Sequence, residues 1–191
     1  MKFVLASQSP RRKEILDMLS FDYTQESSTI KEIISPEDDP EISAMSIAFQ
    51  KAYSVSKNHH KKTIIAADTI VVVDDKILGK PNNDEEAMEM LKLLNNRIHF
   101  VYTGIALINL NLGIKIVDFE KTQVFFKNNS IKNLERYIES KEPFGKAGAY
   151  AIQGKGGLLV DHFIGSFFNV MGLPIDTLNN NLIKYFNYEI L

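Results

Sequence analysis

Two short stretches place charged groups where an ordinary soluble fold has no need of them. In "SQSPRR", Ser7, Ser9, Arg11 and Arg12 fall where an apolar strand, "KFVLA" (2 to 6), gives way to helical periodicity. A strand-to-helix turn presents backbone N–H groups, and hydroxyls and guanidiniums beside them suit a phosphate. The plainer reading makes Ser9 the helix cap, Pro10 a first-turn residue and the arginines solvated. Against it, cations are disfavoured at a helix N-terminus, so a pair of them there calls for a counter-anion. In "IIAADTIVVV", Asp68 and Thr69 interrupt an apolar strand. A carboxylate in that setting is costly unless a cation pairs with it or a bulge turns it to solvent.

Other polar residues carry weaker signals. Lys51 borders the buried face of a long amphipathic helix, Lys80 precedes Pro81 after a return strand, and Glu32 lies in an acidic segment before the long helix. Gln153 is an amide within the glycine-rich "GKAGAYAIQGKGG", able to donate and accept at once. Those glycines mark either turns or a close backbone approach. His99, beside Phe100 on a strand, reads as structural, and His59-His60 have no partner at metal-ligand spacing.

These residues need a scaffold, and the composition bounds it. The chain has 191 residues, 45% hydrophobic and 24% charged, enough for one well-filled core. With 22 basic against 24 acidic residues the formal charge is −2, so no general attraction to nucleic acid polymers or anionic membranes is expected and any polyanion site must be built locally. The absence of cysteine excludes disulfides, thiolate chemistry and cysteine-built metal sites. No stretch approaches the roughly 20 apolar residues of a membrane helix, and no leader-like segment opens the chain, which points to a cytoplasmic protein.

Periodicity supplies the elements. "SPRRKEILDMLS" has helical period with Ile15, Leu16 and Leu19 on one side, and "FDYTQES" is a second strand. From Pro40 to about Val55, Ile42, Met45, Ala48, Phe49, Ala52 and Val55 form an apolar stripe. "TIIAADTIVVVDDKIL" is a buried strand, a turn at Asp74-Asp75 and a short return strand. "NNDEEAMEMLKLLNN" is a helix with acids in its first turn, where the dipole favours them. Two long strands around "HFVYTGIALINL" and "IKIVDFEKTQVFF" follow, joined by an Asn-Leu-Gly turn. "SIKNLERYIES" is a helix, the glycine-rich segment a loop and strand region, and "PIDTLNNNLIKYF" a terminal helix. Alternating elements with interspersed hairpins predict an α/β fold with a mixed sheet.

Taken in order, "SQSPRR", "AADTIV", "GKP", "TGIAL", "KAGAYAIQG" and "GSFFNVMGLP" resemble the Maf family of nucleoside triphosphate pyrophosphatases over nearly the whole chain. The resemblance implies a single domain over residues 1–191, with an elongated twisted sheet flanked by helices and two lobes around a cleft, as in inosine triphosphate pyrophosphatases. It implies hydrolysis between the α and β phosphates with a divalent metal, Mg²⁺ or Mn²⁺. Family members are also linked to inhibition of septum formation, so a division-machinery partner enters as an expectation, and a homodimer enters separately as another.

By motif, the functional positions implied are Ser7, Ser9, Arg11, Arg12, Glu32, Lys51, Asp68, Thr69, Lys80 and Gln153. Asp68 is assigned as metal ligand and base with Glu32 as its partner, roles the two carboxylates can exchange. Arg12, Lys51 and Lys80 form the phosphate clamp. Two arginines and two lysines balance the roughly four charges of a triphosphate without making the protein basic. The form "KAGAYAIQG" resembles the branch acting on dTTP and UTP, and an amide can satisfy both a ring N–H and a carbonyl of a uracil-like edge. The alternatives are a methylated-GTP or inosine triphosphate pyrophosphatase, or a nucleotide-responsive protein that inhibits septum formation without needing hydrolysis.

Overall fold

The computed structural model describes residues 1–33, 35 and 37–190. The strands are β1 (Phe3–Leu5), β2 (Tyr23–Gln25), β3 (Thr63–Val73), β4 (Lys76–Leu78), β5 (Ile98–Asn109), β6 (Ile114–Phe126) and β7 (Val160–Ile164). The helices are α1 (Pro10–Met18), α2 (Pro40–Ser56), α3 (Asp84–Leu94), α4 (Ile131–Glu139), α5 (Phe167–Met171) and α6 (Ile175–Phe186). The strands form a seven-stranded sheet in the order β2-β1-β3-β5-β6-β7, with β4 paired to β3. It is mixed, as expected: β1 runs parallel to β2 and β3, whereas β3–β4 and β6–β7 are antiparallel.

The chain divides into two compact units whose boundaries fall inside β3, β5 and β6. The first holds Met1–Asp68, Thr103–Glu120 and the chain from Gly172 onward. Its core joins Val4, Ala6, Ile64, Ala66, Ala106 and Ile108 of the sheet to Ala48, Ala52 and Val55 of α2. The packing corrects the predicted stripe of α2: Ile42 is exposed, and the buried face is Ser43, Ala44, Ile47, Ala48, Ala52, Val55 and Ser56. Ala44, Ala48 and Ala52 recur every fourth residue, so a line of small side chains faces the sheet. At Gly104 of β5 the approach is closest, since a Cβ there would lie 2.4 Å from the Ala44 carbonyl.

The second unit holds Thr69–Tyr102 and Lys121–Met171. Alternate residues Val71, Val73, Val101, Val124 and Phe126 form its sheet face, covered by Ala87, Leu91 and Leu94 of α3 and by Leu134, Tyr137 and Ile138 of α4. The β3–β4 hairpin turns on Asp74 and Asp75, both at positive φ (47° and 59°), as a two-residue hairpin turn requires. Asn83 and Ser130 cap α3 and α4 by accepting from the backbone N–H groups of Glu86 and Asn133. The glycine-rich segment differs from expectation. It forms a tight turn over Ala147–Ala149, with Gly148 and Ala149 at positive φ (67° and 59°), then a 3₁₀ turn over Gly154–Leu159, and the strand of this region, β7, begins only at Val160.

Candidate active site

The first corner is built by β1 and α1. Once β1 ends at Leu5, Ala6 extends the ladder with one further bond to Ile65 O, and Ser7 turns the chain inward. Ser7 is buried, and its Oγ accepts from Ser9 N (3.1 Å) and from Arg12 Nη1 (3.2 Å). Gln25 Nε2 donates to the Ser7 carbonyl at 2.8 Å, fixing the turn from β2. Ser9 occupies the cap position of α1, but its side chain makes no cap bond, which corrects the expected role. The Ser7 hydroxyl takes the Ser9 N–H instead, and Pro10 at the first helical position has no N–H to satisfy.

Arg12 is held twice, by Ser7 and by a 2.7 Å bond from Nε to the Gly172 carbonyl. Burial draws its pKa below the usual guanidinium value; Asp68 and Glu32 oppose this and Arg11 reinforces it. That balance places Arg12 in the field of both carboxylates, with Arg11 adding a second cation. A guanidinium fixed at both Nε and Nη1 presents its charge without further ordering, as a phosphate contact requires.

The cation that Asp68 demanded is Lys51. From α2, its Nζ lies 2.6 Å from Asp68 Oδ1 and 2.8 Å from Glu32 Oε1. The Lys51 and Asp68 side chains are 17% and 16% exposed, so water screens this pair little, whereas Glu32 at 43% reaches the surface. Asp68 is thus paired rather than turned alone to solvent. Glu32 is brought to α2 by a contact that sequence reasoning missed. Gln50, next to Lys51, accepts from Ile33 N (3.0 Å) and donates to Ile33 O (2.7 Å), so one side-chain amide satisfies both backbone groups of the residue after Glu32. No sequence signal marks Gln50, because the partner segment has no regular periodicity. Gly172 was within reach, since it belongs to the quoted "GSFFNVMGLP" motif.

The first unit therefore brings together Ser7, Ser9, Arg11, Arg12, Glu32, Lys51 and Asp68. Thr69, Lys80 and Gln153 belong to the second. Thr69 follows Asp68 on β3 and is half-buried; Lys80 is exposed after β4, in a segment held where Gly148 N donates to Gly79 O at 3.0 Å. Gln153 is exposed, with extended backbone, immediately before the 3₁₀ turn Gly154–Leu159. A groove of about 510 Å³ lined by Asp84, Met88, Glu89, Glu135, Ile138 and Glu139, among others, holds none of these residues. Among the described residues there is no group of three or more His, Cys, Asp or Glu arranged to hold a metal ion, and no helix long and apolar enough to cross a membrane.

The Maf-like protein family matches residues 2–185. The chain belongs to that family. Its Maf-like relatives include a dTTP/UTP pyrophosphatase of Clostridioides difficile (strain 630), 45% identical over 190 residues that cover 100% of this chain and 98% of the relative. A dTTP/UTP pyrophosphatase of Bacillus mycoides (strain KBAB4) is 42% identical over 189 residues, covering 99% of this chain and 97% of its own. Among solved structures, the Staphylococcus aureus Ham1 protein aligns over 68% of this chain and 73% of its own, with 16% identity and a TM-score of 0.48.

Proposed function

We propose that this Maf-like chain is a nucleoside triphosphate pyrophosphatase that hydrolyses dTTP and UTP to the monophosphate and pyrophosphate, working as a single domain over residues 1–191. Full-length identity of 42–45% to enzymes of that name supports the activity and the substrate pair. The observation that carries the reading at residue level is Lys51 between Asp68 and Glu32, 2.6 and 2.8 Å away, in the same unit as the half-buried Arg12. A module that only bound a nucleotide would have no need of a carboxylate in an apolar strand with its cation locked beside it.

In this reading water attacks the α phosphorus, the bond from that phosphorus to the oxygen bridging to the β phosphate breaks, and pyrophosphate leaves. Lys51 engages Asp68 Oδ1 and thereby orients the carboxylate to take the proton from the attacking water. Arg12, Lys51 and Lys80 offset the charge growing on the leaving pyrophosphate, with Ser7 holding Arg12 in place and Ser9, Arg11 and Thr69 lining the phosphate path. Gln153 reads the pyrimidine edge. Two carboxylates already converging on one cationic point match the donor set of Mg²⁺ or Mn²⁺, which takes one or two carboxylates with phosphate oxygens and waters. Asp68 and Glu32 would hold the ion, which supplies charge neutralisation at the phosphates and a more acidic water.

The test is a panel of natural and modified triphosphates assayed with Mg²⁺ and with Mn²⁺, with products followed by phosphorus NMR. The expected products are dTMP or UMP and pyrophosphate, formed only with metal. Orthophosphate as the first product, or full activity in chelator, contradicts the proposal.

A further inference from the structure

Gln153 sits in a backbone that is pinned on both sides by two residues outside the quoted family motifs. Before it, Ala151 N donates to the Tyr137 hydroxyl at 3.1 Å. After it, Lys155 N and Gly156 N donate to Glu142 Oε2 (3.1 Å) and Oε1 (2.9 Å). Tyr137 OH in turn donates to Glu142 Oε1 at 3.2 Å, so the two anchors are joined. Lys146 Nζ closes the arrangement from behind by donating to the Glu142 carbonyl at 2.5 Å.

Two glycines of the loop leave room for these anchors. Gly154 has φ +80°, and a Cβ there would lie 2.9 Å from Glu142 Oε2; one at Gly156 would lie 2.3 Å from Ala151 O and 2.7 Å from Tyr137 OH. A side chain at Gly154 would press on the Glu142 carboxylate and one at Gly156 on the Tyr137 hydroxyl and the Ala151 carbonyl, so the anchored backbone needs glycine at both positions. Tyr137 is 4% exposed and is one of the core residues of α4, so the chain of bonds ends on a rigid element.

We propose that Glu142 and Tyr137 are positioning residues for base discrimination: they fix the backbone at positions 151, 155 and 156 so that the Gln153 amide meets the pyrimidine edge in one geometry. This rests on the reading of Gln153 as the base contact. Discrimination by a donor and acceptor pair depends on placement within about half an ångström, because a loose amide can re-form its bonds with the wrong base. The Lys80 segment is tied to the same region by the separate Gly148–Gly79 bond, so loosening the Glu142 anchor leaves the phosphate side in place.

The experiment compares kcat/KM for dTTP, UTP and CTP in the wild type, Glu142→Gln and Tyr137→Phe, and measures amide hydrogen exchange at 151, 155 and 156 by NMR. The expected result is faster exchange at those amides, with the UTP-to-CTP ratio falling at least about fivefold, the effect of one lost hydrogen bond. The loss should fall on UTP and dTTP, with CTP changed less than about twofold. Equal losses on every triphosphate, unchanged exchange, or an intact ratio in a folded Glu142→Gln variant would overturn the proposal alone. A wild type without any preference for UTP over CTP overturns it together with the reading of Gln153. If Glu142→Gln does not fold, Tyr137→Phe decides by the same ratio.

Discussion

Lys51 Nζ stands 2.6 Å from Asp68 Oδ1, and this ion pair is what lets a carboxylate occupy the middle of an apolar strand. The pair joins α2 to β3, and Glu32 completes it from a segment without regular structure. Asp68→Asn preserves shape while removing the charge. Turnover should fall at least about a hundredfold if Asp68 is base and ligand. Lys51 keeps Glu32 as a partner, so the thermal midpoint should hold. Steady-state kinetics beside a melting curve check this. A variant that unfolds yet keeps full specific activity in its folded fraction makes the carboxylate structural.

Gln50→Ala removes the side-chain amide that satisfies both backbone groups of Ile33. Both groups can be rehydrated, since Ile33 is 75% exposed, so the stability cost should stay within about 1 kcal/mol. Activity should fall about tenfold, because a misplaced carboxylate weakens the geometry of the reacting groups. If kcat and KM are both unchanged, Glu32 reaches Lys51 without this staple.

The contrast between these residues shows what the sequence made legible. The demand of Asp68 for a cation followed from desolvation alone, but Lys51 as its supplier did not: the resemblance placed Lys51 in the phosphate clamp, and nothing local links positions 17 residues apart on α2 and β3. Gln50 had no signal at all, because its partner is backbone. Within α2 the limits were legible and the buried face only in part: Ala48, Ala52 and Val55 of the predicted stripe are buried, but the large Ile42 is exposed, and the close approach to β5 selects the small Ala44 instead. The glycine-rich segment concealed its structure for a similar reason. Its turns are held by Glu142 and Tyr137, whose roles depend on tertiary bonds that periodicity does not encode.

That close approach gives a third test. In Gly104→Ala the new methyl would lie 2.4 Å from the Ala44 carbonyl carbon and oxygen and 2.5 Å from Met45 N, so α2 must lift away from β5. Backbone contacts yield less readily than side chains, and a cost of about 2 to 3 kcal/mol is expected in urea unfolding. Because α2 carries Lys51, specific activity should fall even in the folded protein. An unchanged unfolding midpoint would mean that the helix accommodates the methyl.

His99 connects burial to pH. It is fully buried, its Nε2 lies 2.7 Å from Tyr150 OH, and Phe126 and Tyr150 meet its ring edge-on at 5.0 and 5.3 Å. Its Nδ1 has no hydrogen-bond partner among the described residues. Burial pushes its pKa down from 6.5 to about 3, so the folded protein refuses a proton that the unfolded chain accepts. The stability from keeping this imidazole neutral is fully present above pH 6.5 and is lost as pH falls toward 3, by about 1.4 kcal/mol per unit. Between pH 7 and pH 5 the expected loss from this residue is therefore about 2 kcal/mol. His99→Gln retains a donor and an acceptor but cannot titrate, so its unfolding free energy should fall less over the same interval, by that difference. Contributions from the carboxylates and the other histidines are common to both proteins and cancel in the comparison. Urea titrations of both proteins at pH 7 and pH 5 supply the four free energies needed. Parallel losses in the two would show that His99 keeps its ordinary affinity for protons inside the fold, and that the acid sensitivity arises elsewhere.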